Sequence, residues 1–225
     1  MSERRLPVYL LLDVSGSMEG EPIQAVNTGI QQLIADLNDE PDAVQTAWLS
    51  VITFSDTANR IVELTRLPEF QVPELKADGS TALGPALSLL CECWEKDRLS
   101  GTGPHTGDFR PLVFLMTDGE QNEGDFEKGV RDFKAHHWGS TVLLAAGPYA
   151  NVDDLKKINP ERVFKMDSLA AGDLQKFFRF VTASVKTQSQ KKVDSDQNGV
   201  QAVADEFPPM PDVMQHVSAE PDLQP

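Results

Sequence analysis

Apolar residues fall in four continuous runs, Val8 to Leu12, Trp48 to Phe54, Leu112 to Met116 and Thr141 to Ala146. None alternates with polar residues, and turn formers close each one. That is the pattern of a strand covered on both faces, as in a parallel sheet. The intervening segments change to helical spacing. Ile23, Val26, Ile30, Leu33, Ile34 and Leu37 share one face behind Pro22, a residue suited to a first helical turn. The same spacing returns in Leu83, Leu87, Leu90 and Trp94, in Phe126, Val130 and Phe133, and in Leu174, Phe177, Phe178, Val181 and Val185.

Parallel neighbours need a crossover, and a helix is the usual one, so this alternation predicts an α/β domain. Ala58 to Leu64 follows the second run after Ser55-Asp56-Thr57 and reads as an antiparallel hairpin at the sheet edge. Val163 to Met166 reads as a short last strand or, being so brief, as loop. The expectation is a doubly wound, mostly parallel, six-stranded, Rossmann-like sheet with one antiparallel edge strand and helices on both faces, over residues 5–187. Residues 188–225 lose all periodicity, are rich in Gln, Ser, Asp and Pro, and read as an acidic disordered tail. The alternative there is a short docking segment, because Phe207, Met210, Val213 and Met214 are apolar islands.

Length and charge narrow the function. The 225 residues allow one generous domain, and a net charge of −15 argues against nucleic acid and anionic lipid as partners. No apolar run is long enough for a membrane span or a signal-peptide core. Cys91 and Cys93 lie two positions apart on a predicted helix, point about 200° apart and cannot pair locally, so a reducing cytoplasm is the expected location. The histidines His105, His136, His137 and His216 read as surface residues.

Candidate chemistry sits at strand ends. The first run ends in Asp13-Val14-Ser15-Gly16-Ser17, the third runs through Thr117 into Asp118-Gly119-Glu120, and Thr81 precedes a helix in Asp78-Gly79-Ser80-Thr81. In open parallel sheets the functional loops gather beyond the carboxyl ends of the strands. Oxygen donors alone suit a hard cation such as Mg²⁺, with Mn²⁺ as the alternative. The plain alternative is that these are turn and helix-cap residues.

The set Asp13, Ser15, Ser17, Thr81 and Asp118 resembles the metal-ion-dependent adhesion site of von Willebrand factor A domains, over roughly Pro7 to Val185. The resemblance implies that Ser15 and Ser17 bind the metal directly, Thr81 directly or through water, and Asp13 and Asp118 from behind bridging waters. It also implies a binding module, not an enzyme, with a partner protein supplying an acidic ligand. Arg5-Leu6-Pro7-Val8-Tyr9-Leu10-Leu11-Leu12-Asp13, Gly20-Glu21-Pro22-Ile23 and Trp48 to Phe54 are similar to the TerY group of bacterial tellurium-resistance and stress-response proteins. That similarity implies an adaptor for a protein kinase and a metal-dependent protein phosphatase.

Glu19, Glu21, Glu120, Glu123 and Asp125 make the expected rim of the site acidic, so a lone ligand carboxylate set among Lys or Arg is predicted; the alternative is that they are ordinary solvated charges. Two other readings compete. A phosphohydrolase with an Asp nucleophile would carry a second Asp where Ser15 stands, and the chain has no Gly-x-Ser-x-Gly elbow and no phosphate-binding loop. A metal-independent scaffold would bind through its helices or tail.

Overall fold

The computed structural model describes residues 4–101, 107–119, 125–159, 162–198 and 207–217. The chain runs β1 (Leu6–Asp13), α1 (Glu21–Asn38), α2 (Pro41–Thr46), β2 (Ala47–Phe54), β3 (Ala58–Arg66), α3 (Leu83–Asp97), β4 (Leu112–Thr117), α4 (Phe126–Lys134), β5 (Ser140–Ala146), α5 (Val152–Ile158), β6 (Val163–Met166), α6 (Ala171–Asn198) and β7 (Gln215–His216).

The strands form one sheet in the order β3-β2-β1-β4-β5-β6-β7. Pairings among β1, β2, β4, β5 and β6 are parallel, and β3 and β7 close the edges antiparallel. The winding reverses at β1, which has β2 on one side and β4 on the other. Open α/β sheets place ligand-binding crevices at such a point.

Both faces of the sheet are covered, which is why the strands read as unbroken apolar runs. Val8, Leu10 and Leu12 of β1 pack with Ile30 of α1 and with Phe177 and Val181 of α6. Tyr9 and Leu11 point the other way, onto Leu87 and Leu90 of α3 and Val130 of α4. Helices α3 and α4 touch backbone to backbone, since a Cβ on Gly129 would lie 2.3 Å from the Gly84 carbonyl oxygen.

The sheet has seven strands where six were expected, and both edges are antiparallel where one was expected. The extra strand comes from the region expected to be a disordered tail. There Met214 is buried, the Phe207 ring lies tilted against Phe180, and Gln215 and His216 pair with Lys165 and Phe164. Apolar anchors spaced along an extended, proline-bearing segment leave no strand period to read, yet they suffice to dock it on β6 and α6. Helix α6 also continues past residue 187 to Asn198. Gln and Lys are good helix formers, and extending an existing helix is easy once its first turns are packed. Lys192 lies over the Phe109 ring, 5.4 Å from its centroid.

Cys91 and Cys93 are free and buried. Burial, with Asp132 nearby, pushes the Cys91 thiol up to about 12, and burial raises Cys93 as well. The thiolate is the reactive form. Native protein at mildly alkaline pH should therefore leave both thiols unmodified by a disulfide reagent for many minutes, and unfolding should release both at once. Rapid labelling of the native state would contradict this burial.

Candidate functional site

The crevice at the reversal is built by parallel register. Leu12 pairs with Met116, which sets Asp13 opposite Thr117 and carries Asp118 just beyond the strand end. Asp13 is fully buried; its Oδ1 accepts from the Ser15 backbone N–H at 2.9 Å and its Oδ2 from the Thr117 hydroxyl at 2.5 Å. That double hold fixes the carboxylate. After β1 the chain makes a tight turn, Gly16–Met18, which leaves Ser15 buried and Ser17 exposed beside the crevice.

Ser15, Ser17 and Asp118 meet there. The two hydroxyl oxygens are 3.0 Å apart, Ser17 Oγ donates to Asp118 Oδ1 at 2.9 Å, and Ser15 Oγ lies 3.5 Å from the same oxygen. Thr81 closes the group. It is buried, and a Cβ on Gly119 would stand 3.0 Å from its Oγ1.

A brace holds the Thr81 loop against the β1 loop. Asp78 N–H donates to the Val14 carbonyl and Gly16 N–H to the Gly79 carbonyl, at 2.8 and 2.9 Å. Asp56 accepts from both the Ser80 N–H and the Ser80 hydroxyl, at 2.8 and 2.7 Å, and these bonds hold its carboxyl below the usual range. Gly79 has φ +79°, and a Cβ there would meet the Asp56 carboxylate at 2.8 Å, so this turn requires glycine twice over.

Both carboxylates of the crevice are electrostatically uncomfortable. Burial pushes Asp13 up to about 6, against the lowering effect of its hydrogen bonds to Ser15 and Thr117, and Asp118 adds like-charge repulsion. Burial likewise raises Asp118. Among the described residues no salt bridge reaches either group. Two buried acids without a cationic side chain are a charge deficit that an ion would fill.

The donors fit Mg²⁺ in chemistry and spacing. An octahedral ion with oxygens at about 2.1 Å has adjacent oxygens roughly 3.0 Å apart, which is close to the separations among Ser15, Ser17 and Asp118. Hydroxyl and carboxylate oxygens are the donors a hard divalent cation prefers.

Asp13, Ser15, Ser17, Thr81 and Asp118 thus converge on one crevice. Sequence reasoning missed Thr117: it is the strand residue just before Asp118, but it lies opposite Asp13 only because β1 and β4 are neighbours in the sheet. For Asp56, at the end of a buried strand, a simple turn and a supporting contact to the site were both open from the sequence; the aspartate ties down the Thr81 loop. Of the expected acidic rim, Glu19, Glu21 and Asp125 are exposed, and Glu120 and Glu123 lie outside the described residues, as does His105.

Residues 8–180 match the sequence profile described as the von Willebrand factor type A domain. A cyanobacterial protein from Synechocystis, "Uncharacterized protein sll0103", is 32% identical over 167 residues, covering 64% of this chain and 36% of its own length. A solved "von Willebrand factor type A from Catenulispora acidiphila" superposes with TM-score 0.64 at 19% identity, covering 81% of this chain and 43% of that one. Proximal thread matrix protein 1 from the mussel byssus, solved "with zinc occupied MIDAS motif", gives TM-score 0.58 at 18% identity, covering 80% and 48%. This chain spans about a third of the length of the Synechocystis relative and under half of those two solved chains.

Proposed function

The chain belongs to the von Willebrand factor type A domain family, and from that membership we propose that it is a Mg²⁺-dependent protein-binding module whose partner contributes a carboxylate to the cation site. One observation carries this reading: Ser15, Ser17, Thr81 and two uncompensated buried aspartates share one crevice at the carboxyl end of the sheet. Ser15 and Ser17 would hold the ion through neutral hydroxyls. Asp13, pinned by Ser15 and Thr117, would act from behind water with Asp118, and Thr81 would complete the protein's share. When bound, the cation supplies a positive centre that attracts an incoming carboxylate.

This donor set favours binding over catalysis. Asp13 has both oxygens committed to Ser15 and Thr117 and is fully buried, so it is not presented as a nucleophile. The segments similar to the TerY group support a finer placement, an adaptor that brings a protein kinase and a metal-dependent protein phosphatase together in tellurite or stress response. The two free thiols support a cytoplasmic setting. No helix among the described residues is long and apolar enough to cross a membrane.

The test is capture of partner proteins from a bacterial lysate on the immobilised full chain, with millimolar Mg²⁺ or with chelator, beside Asp13→Asn. Capture should require both the cation and Asp13, and neither sample should hydrolyse p-nitrophenyl phosphate. Equal capture in chelator would favour a metal-independent scaffold. Phosphate release that vanishes in Asp13→Asn would favour a phosphohydrolase.

A further inference from the structure

An open groove of about 740 Å³ runs along the exposed face of α3, between β3 and α4. Ser88, Leu89 and Glu92 continue it into a second hollow of about 440 Å³, which reaches Asp56 and Asp125. Asp56 is the residue that braces the Thr81 loop, so the two joined hollows form an elongated channel ending beside the cation site. Leu89 and the surfaces over Cys91 and Ala135 give it an apolar floor.

Its walls are acidic. Asp56, Glu63, Glu92, Glu95 and Asp125 are all exposed there. Of the cations beside them, Arg60 is gripped by Asp97 in two hydrogen bonds, Lys128 bonds Asp132 at 2.6 Å and Arg98 bonds Glu95 at 2.8 Å; Lys96 also lines the groove, and carboxylates outnumber cations along it. The local field is negative enough that Glu92 and Asp125 add to Asp132 in raising Lys128.

We propose that this channel seats an elongated, lysine- or arginine-bearing segment of the partner, adjacent to the carboxylate that enters the cation site. The inference rests on the Mg²⁺-dependent reading for the position of that carboxylate, and on charge complementarity and an apolar floor for the rest. A segment with Glu in place of Lys would meet a net excess of like charge along the channel. The occupant is therefore acidic at one residue and basic beside it.

The test uses the full chain and two labelled synthetic peptides of Lys, Leu and Gly or of Glu, Leu and Gly, followed by fluorescence anisotropy in chelator so that the groove is read without the cation. The Lys peptide should bind and the Glu peptide should not. Glu63→Lys with Glu92→Lys should weaken binding by about tenfold or more. Asp39→Lys with Glu74→Lys makes the same net-charge change on the α1 side of the sheet, where Asn27 of α1 holds Leu75, and should weaken it less than about threefold. Thermal midpoints should show all variants folded. No binding of the Lys peptide, or equal losses in the two double variants, would overturn the assignment. A second arm joins one Asp to the Lys peptide and adds Mg²⁺. If the cation brings no gain there while the first arm behaves as expected, the Mg²⁺-dependent reading fails and the basic occupant stands.

Discussion

Without divalent cation and near neutral pH, Asp13→Asn should melt above the wild type, by roughly 5–10 °C for a chain of this size. Burial moves Asp13 from 3.8 to about 6, so the folded state binds the proton more tightly than the unfolded state does. The contribution that favours folding is full below 3.8 and is lost as the pH rises through about 6, at a cost on the order of 3 kcal/mol above it. Asparagine removes that charge and keeps both contacts. Its oxygen can accept from the Ser15 N–H, and its amide can donate to Thr117 Oγ1 once that hydroxyl turns.

The same substitution should erase the stabilisation that Mg²⁺ gives the wild type, since a ligand that binds only the folded state raises its stability by mass action. Differential scanning calorimetry across pH checks both halves. The advantage of the variant in chelator should grow between about pH 4 and 6 and then level off. A variant less stable than wild type in chelator would mean that the buried carboxylate is compensated after all.

Asp97→Ala should lower the melting temperature on the order of 10 °C and leave the Mg²⁺ response of the folded protein unchanged. Asp97, the last residue of α3, accepts from Tyr9 Oη at 2.8 Å and from Arg60 Nη2 and Nη1 at 2.5 and 3.1 Å. The Asp97 and Arg60 side chains are only 14% and 10% exposed, so removing the acid leaves a largely covered guanidinium and a phenol without their acceptor. Breaking such a pair costs about 3–5 kcal/mol, well above the ~1 kcal/mol of an exposed one. Tyr9→Phe, which deletes one hydrogen bond, should cost about 1 kcal/mol. Denaturant unfolding of the two variants separates the terms. A loss below 1 kcal/mol for Asp97→Ala would mean that solvent already screens the pair.

The central strands were legible because burial on both faces leaves continuous apolar runs, and the long helices because one face of each is apolar. Helices α2 and α5 have six and seven residues, too few turns for a period to register. Strand β7 is two residues long and gains its hold from Met214 beneath it and from His216 against Phe164, contacts that exist only after the chain folds back. Asp13, Ser15, Ser17, Thr81 and Asp118 stood out as candidates because each lies at a strand end or before a helix, and because together they resemble a known motif. The grip of Thr117 on Asp13 depends on which strands are neighbours, and runs of apolar residues do not encode that order.

The most direct measurement is a crystal structure of the full chain grown with Mn²⁺, using its anomalous scattering to place the ion. One peak should lie against Ser15 Oγ and Ser17 Oγ, with Thr81 beside it and Asp13 and Asp118 facing it directly or across ordered water. A crevice that stays free of anomalous signal at saturating Mn²⁺, or Asp13 and Asp118 turned away from each other, would contradict the assignment.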